Sequence, residues 1–257
     1  MAQGADEMSF WQHLDVLRGS IIRCIVAVMG FGIAAFCLKE PLFRMIFWPT
    51  KKAFPLWQIW PLTDAETHIE LINTQLAQQF IVHVEVALII GAFCVVPYLI
   101  YELIRFIGPA LYPHEKRATY PAVAGGYVMF VMGVMLSYFV IFPLTYRFLS
   151  TYQVAGEVSN LIALDSYVQT LLLMSAIMGI IFELPILCGI QARLGLLKAA
   201  PMRRCRKHAI VGILVLAAVI TPTADAFTLS IVSLPIYLLY EVSILIVRLR
   251  ERKMADK

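Results

Sequence analysis

Residues Ala118 to Tyr146 read ATYPAVAGGYVMFVMGVMLSYFVIFPLTY, a run without a single Asp, Glu, Lys or Arg. A bilayer core of about 30 Å takes about 20 apolar helical residues to cross, and this run exceeds that. It reads as a membrane-spanning helix, and the rest of the chain repeats the pattern. Of the 257 residues, 60% are hydrophobic, with a mean hydropathy of +0.79. A soluble domain sits nearer half apolar. The excess is gathered into runs, so residues 1–257 read as one polytopic membrane domain with no separate soluble domain.

Working outward from that run, the apolar stretches predict six spans, at about 20–39, 80–107, 121–145, 169–192, 209–221 and 227–247. Before them, Phe10, Leu14, Leu17 and Ile21 recur at helical spacing. They predict a short amphipathic helix over about 5–19 lying at the interface. Asp6, Glu7 and Asp15 precede the first apolar run, where a cleavable signal peptide carries positive charge. The first span is therefore expected to be retained. The segment 40–78 is punctuated by Pro41, Pro49, Pro55 and Pro61, with Trp48, Trp57 and Trp60 suited to a water–lipid boundary. From about Asp64 it reads as a helix running on into the second span. Pro97 predicts a kink in that span, and Glu183 and Pro185 interrupt the fourth. The fifth span covers only about 20 Å at 1.5 Å per residue. A tight PTADAF turn joins it to the sixth, so both are expected to be short and to thin the bilayer locally. The tail from Arg248 is basic.

Alternating the spans across the membrane puts sixteen of the 21 Lys and Arg on one side and five on the other. Basic residues mark the cytoplasmic side, so both ends of the chain are expected there, as an even number of spans also requires.

Enzymatic signatures are absent: there is no HExxH, GxSxG or P-loop. His83-Val84-Glu85 has no second histidine at metal spacing. The five cysteines form no CxxC pair and read as small apolar residues. No catalytic, metal, cofactor or nucleic-acid reading survives. Ionisable groups inside apolar runs carry more information, because each costs several kcal/mol unless satisfied or neutral. Glu183 lies deep in GIIFELPIL. Two readings stand for it: a polar cavity or partner-helix contact, and a protonated acid bonded to carbonyls freed near Pro185. Glu85, Glu102 and Glu241 lie nearer helix ends and read as solvated at the interface. Glu115, beside Lys116 and Arg117, reads from composition alone as a solvated charge cluster. Asp15 and Arg18 read as the polar face of the interfacial helix, and Asp225 as a turn residue or the N-cap of the sixth span.

Several of these stretches together resemble a known family. His13-Leu14-Asp15-Val16-Leu17-Arg18 resembles the N-terminal HLxELR motif of the TatC proteins. Phe106 to Glu115 resembles the FxxPxLxxxE motif of their first cytoplasmic loop. Phe182-Glu183-Leu184-Pro185 resembles the FExP motif of their fourth span, and Thr221-Pro222-Thr223-Ala224-Asp225 their last outside turn. Pro49 falls where the family has a proline in its first outside loop. These matches run in order along the whole chain.

The resemblance implies an all-α, concave, glove-like bundle of six transmembrane helices in the plasma membrane. It implies a receptor rather than an enzyme. Such a receptor binds signal peptides with two consecutive arginines and helps to move folded precursors across the membrane on the proton-motive force. It works in an oligomeric complex with small single-span subunits of the TatA and TatB type, and without a cofactor. It implies that Glu115 is a main signal-peptide contact, that Leu17 and Arg18 belong to the N-terminal part of the site, and that Phe106 and Pro109 shape the loop. Glu183 would then make the intramembrane cavity polar, and Pro185, Thr221 and Asp225 are further motif positions. The chemistry is suited to that role. A carboxylate accepts two parallel hydrogen bonds from a guanidinium, and an ammonium does not reproduce that geometry. Three positions depart from the family pattern. Val16 stands where HLxELR has its glutamate, with Asp15 one place earlier and expected to supply the carboxylate. Glu102 and Ile104 replace a frequent Gln and Trp. Leu229 stands where a glutamine is often found early in the sixth span.

Two other classes compete: a small proton-coupled secondary transporter, whose intramembrane carboxylates would carry protons, and a membrane scaffold. The absence of an internal repeat, and two short spans among six, count against a transporter with a midplane site.

Overall fold

The structure is a computed structural model. It describes residues 10–51, 53–59, 71–107, 119–152, 161–193, 195–221, 223 and 225–255. Its helices are α1 (Phe10–Cys37), α2 (Lys39–Ile46), α3 (Pro55–Ile59), α4 (Gln78–Ile107), α5 (Thr119–Leu136), α6 (Phe142–Thr151), α7 (Leu164–Phe182), α8 (Leu184–Arg193), α9 (Ala199–Arg204), α10 (Arg206–Ile220) and α11 (Ala226–Ala255). Among the described residues, five helical stretches are long and apolar enough to cross a membrane: Leu17–Cys37, Gln78–Leu103, Val123–Thr151, Leu164–Arg193 and Ala226–Arg252. The third joins α5 to α6 through a π-helical segment, Ser137–Ile141. Pro143 explains it. Proline has no N–H, and its ring clashes with the carbonyl four residues back, so the backbone widens by one residue there. The fourth stretch joins α7 to α8 across a break at Glu183. The fifth expected span, α10, has 15 residues, about 22 Å, and is short as the sequence suggested.

Several expectations are corrected. The N-terminal amphipathic segment is not a separate interfacial helix. From Phe10 it continues into the first span as one helix of 28 residues, with no proline to break it. The sixth span is not short. α11 runs for 30 residues, because Arg, Glu, Lys, Met and Ala in its charged end are all strong helix formers. The helix expected to run from Asp64 into the second span does not do so over its described part. Leu71 and Ile72 form a strand that pairs in parallel with Ile162 and Ala163, and α4 begins only at Gln78. This two-residue ladder ties the segment before α4 to the segment before α7.

Consecutive spans pack antiparallel. Along α1 and α4, Arg23 meets Glu102, Gly32 meets Gly91 and Phe36 stacks on His83. The approach is closest at Gly91, where a Cβ would lie 2.6 Å from the Gly32 nitrogen and 2.7 Å from the Val28 carbonyl oxygen. Without a hydrophobic force between helices in lipid, small residues give the contact its dispersion energy by letting backbones approach. The α5–α7 seam uses the same device: a Cβ at Gly133 would lie 2.6 Å from the Met178 carbonyl oxygen. At one end of the bundle, an aromatic cluster of Trp48, Phe54, Tyr138 and Phe139 packs edge-on and stacked. Tyr138 and Tyr167 donate to the carbonyls of Met45 (2.6 Å) and Ile46 (2.9 Å), which fastens α2 to the bundle.

Candidate functional site

At the other end of the bundle, α1 begins and α4 finishes. Here a groove of about 470 Å³ opens between the two helices, lined by Leu17, Ser20, Ile21, Leu99, Glu102 and Leu103 among others. Its walls are apolar because both helices present their membrane faces. Glu102 is the exception, and it is only 5% exposed. A buried carboxylate must be paired and hydrogen-bonded to be tolerated, and this one is. The Ser20 hydroxyl donates to Oε2 at 2.7 Å, and the Tyr98 hydroxyl to Oε1 at 2.8 Å. Arg23 Nη2 donates to both oxygens at 3.1 and 3.2 Å, and Arg23 Nε to Oε1 at 3.3 Å. Arg23 also reaches Ser20 Oγ at 3.0 Å and Tyr98 Oη at 3.2 Å. The Arg23 side chain is 49% exposed, so it covers a buried anion from the outer face of the bundle. Glu102 is therefore not an interfacially solvated residue, as its position near a helix end suggested, but the anchor of a four-residue network.

Leu17 lies in this groove. Asp15 and Arg18 are exposed on α1 outside it. Phe106 stands in the last turn of α4. Pro109 and Glu115 lie outside the described residues. Of the expected peptide contacts, the structure thus brings Leu17 into a groove and leaves Asp15 and Arg18 on the open face. The Ser20, Arg23, Tyr98 and Glu102 network escaped the sequence reading. Its signal was an arginine early in one apolar run and a glutamate late in the next. Antiparallel spans place such residues at the same depth.

Glu183 is the C-cap of α7. Its carbonyl accepts from the N–H groups of Ile186 (3.1 Å) and Leu187 (3.0 Å), which carries the chain past Pro185 into α8. Pro185 itself is buried. Glu183 points at α5. Gly126 leaves room for it, since a Cβ there would stand 3.0 Å from Oε2. Oε1 is buried and has no hydrogen-bond partner among the described residues. Among the described residues no carbonyl freed near Pro185 meets Oε1.

The remaining motif positions are structural in form. Pro49 is buried in a 3-10 turn, Trp48–Thr50, and its carbonyl accepts from Trp57 Nε1 at 3.1 Å. Thr221 is buried and donates to the Ala217 carbonyl at 3.0 Å, closing α10. Asp225 is both turn residue and cap. It accepts from the Thr228 N–H at 2.9 Å and from the hydroxyls of Thr223 at 2.6 Å and Thr228 at 2.5 Å. Partial burial works against its charge, but these donors outweigh that and hold the carboxyl below its ordinary range. Glu241, also expected at an interface, accepts from Arg206 at 2.7 Å and from Tyr237 at 3.1 Å, joining α10 to α11.

Comparison with known proteins agrees with this arrangement. Residues 12–235 match the family described as Sec-independent protein translocase protein (TatC). The TatC protein of Deinococcus radiodurans is 31% identical over 242 residues, covering 93% of this chain and 85% of the relative. That of Aquifex aeolicus is 31% identical over 251 residues, covering 97% and 98%. A solved structure described as the twin arginine translocase receptor TatC superposes with a TM-score of 0.77 at 29% identity, over 93% of this chain and 99% of that one. With the motifs, the helix order and the overall path all matching, the chain belongs to the TatC family of Sec-independent protein translocase proteins.

Proposed function

We propose that the protein is the receptor subunit of a twin-arginine translocase. It binds signal peptides carrying two consecutive arginines and passes folded precursors across the bacterial plasma membrane on the proton-motive force. It is a binding protein and carries out no bond-making step of its own. Both ends of the chain face the cytoplasm, a placement supported by the concentration of Lys and Arg on that side. Glu115 accepts one signal arginine, and Phe106 and Pro109 shape its loop. Leu17, Arg18 and Asp15 form the N-terminal part of the site. Glu183 serves the intramembrane face toward small single-span partner subunits.

The observation that carries this reading is the α1–α4 groove. It is apolar, opens where Leu17 begins the first span, and lies at the end of α4 from which the Glu115 loop departs. A peptide with guanidinium groups followed by an apolar run needs carboxylates beside an apolar wall at the membrane surface, and this end of the bundle offers both. The test is site-specific photo-crosslinking in inverted membrane vesicles, with a photoreactive residue in place of Glu115 or Asp15. A precursor with two arginines is expected to crosslink to position 115, and its two-lysine counterpart is expected not to. Equal crosslinking of both precursors would contradict the reading.

A further inference from the structure

The α1–α4 groove holds a carboxylate that is already occupied by an arginine of the same chain. We propose that Arg23 is an internal stand-in for a signal-peptide arginine, and that Glu102 receives that arginine when Arg23 swings out. The proposal rests on the receptor reading above and assigns a second carboxylate to the same site.

Three observations carry it. First, Glu102 is built to hold a guanidinium. Its two oxygens face Arg23 Nη2 at 3.1 and 3.2 Å, and the hydroxyls of Ser20 and Tyr98 donate to the same two oxygens. Second, the two members of the pair are unequally buried, with side-chain exposures of 49% for Arg23 and 6% for Glu102. Arg23 can swing outward from the bundle while the carboxylate stays in place. Third, the surroundings are apt. Glu102, bonded to Ser20 of α1, lies in the apolar groove at the end of the bundle where α1 begins. Leu17 and Leu103, beside Glu102 in the groove, offer apolar contact to an arginine's methylene stem.

Exchange of one guanidinium for another conserves charge and hydrogen bonds, so the buried anion is never left alone. The cost is a competition. While Arg23 occupies Glu102, only the fraction of molecules with Arg23 displaced can bind, and the apparent affinity falls by that fraction. A peptide with lysines gains less, because an ammonium does not reproduce the bidentate contact.

The experiment measures binding of a fluorescent twin-arginine signal peptide to the full-length protein in lipid nanodiscs, by anisotropy. Arg23→Gln removes the competitor and is expected to tighten binding about tenfold. Glu102→Gln is expected to weaken it about tenfold. In the Arg23→Gln background, Glu102→Gln is expected to erase the gain. If Glu102→Gln does not yield folded protein, Tyr98→Phe replaces it: it removes a hydroxyl that any guanidinium on Glu102 meets, and in the Arg23→Gln background it is expected to weaken binding severalfold. Unchanged or weaker binding by Arg23→Gln overturns the proposal. A Glu115→Gln control separates the two claims. If it weakens binding while Arg23→Gln leaves binding unchanged, the stand-in fails and the receptor reading survives. If the wild type binds twin-lysine and twin-arginine peptides equally, both fail.

Discussion

Two antiparallel seams, α1 against α4 and α5 against α7, are built alike and treat an intramembrane glutamate in opposite ways. Each brings glycine to a point of near backbone contact, Gly91 in one and Gly133 in the other. Glu102 in the first seam is bonded to Ser20, Arg23 and Tyr98 among the described residues. Glu183 in the second stands at a helix break with Oε1 buried and unpartnered among the described residues. A carboxylate with all its partners in its own fold holds that fold together. One left with an unmet acceptor does little for stability, so its presence in an apolar span asks for a partner from elsewhere. The difference separates a clamp from a group that we propose docks a partner.

The sharpest way to break the comparison is Glu102→Ala. It strands the hydroxyls of Ser20 and Tyr98 and removes the partner of Arg23, and is expected to cost about 2–3 kcal/mol, the range for unsatisfied buried groups with one charged member. Unfolding in mixed detergent micelles measures it. A loss no larger than that of Glu183→Ala would end the distinction. The next effect tests the shared element of the seams. Gly91→Ala places a methyl 2.6 Å from backbone nitrogen and is expected to destabilise by about 1–3 kcal/mol, as overpacking does. Gly212→Ala, which meets nothing within 4 Å, is the silent control in the same assay.

A smaller effect is expected at the α10–α11 turn, outside both seams. Asp225→Ala removes an N-cap and should cost about 1 kcal/mol. Because donors hold the folded Asp225 carboxyl below its ordinary 3.8, its charged form stabilises the fold above that pH. The contribution is lost as the pH falls through the depressed folded value. Wild type and Asp225→Asn should therefore differ in stability at pH 6 and converge in strong acid. The smallest effect is at Glu183. Both Glu183→Gln and Glu183→Ala are expected to change stability by less than about 1 kcal/mol, since no described donor loses an acceptor at Oε1. Transport should fall, and more for Ala than for Gln. Wild-type transport by both variants would make Glu183 padding.

Much of this was legible in the sequence because apolar runs without charge have few ways to fold in a bilayer. The spans at α4, α7–α8 and α10 emerged close to their observed limits, and so did the break at Glu183 and Pro185. What escaped depended on contacts between distant residues or on helix continuing where hydropathy stops. The charged end of α11 is helical because its residues favour helix, although nothing apolar marks it. α9 was not visible either. It is held by burial of Ala199 against Val247 and by Glu251 accepting the Ala199 N–H at 2.9 Å. Glu102 looked like one more acid near a helix end until packing set it against Arg23. Within the site, motif resemblance pointed to Leu17 and the loop carrying Glu115. Asp15, proposed to supply the carboxylate missing at Val16, stands exposed on α1, and the groove itself holds a second carboxylate, Glu102.

The central claim is that this end of the bundle reads arginine geometry rather than positive charge alone. The most direct test is the dissociation constant of the purified wild-type protein in nanodiscs for a signal peptide with two arginines, set against the same peptide with two lysines. The account predicts binding at least about tenfold weaker for the lysine peptide, the equivalent of one charge-assisted hydrogen bond lost. Equal constants for the two peptides would contradict it.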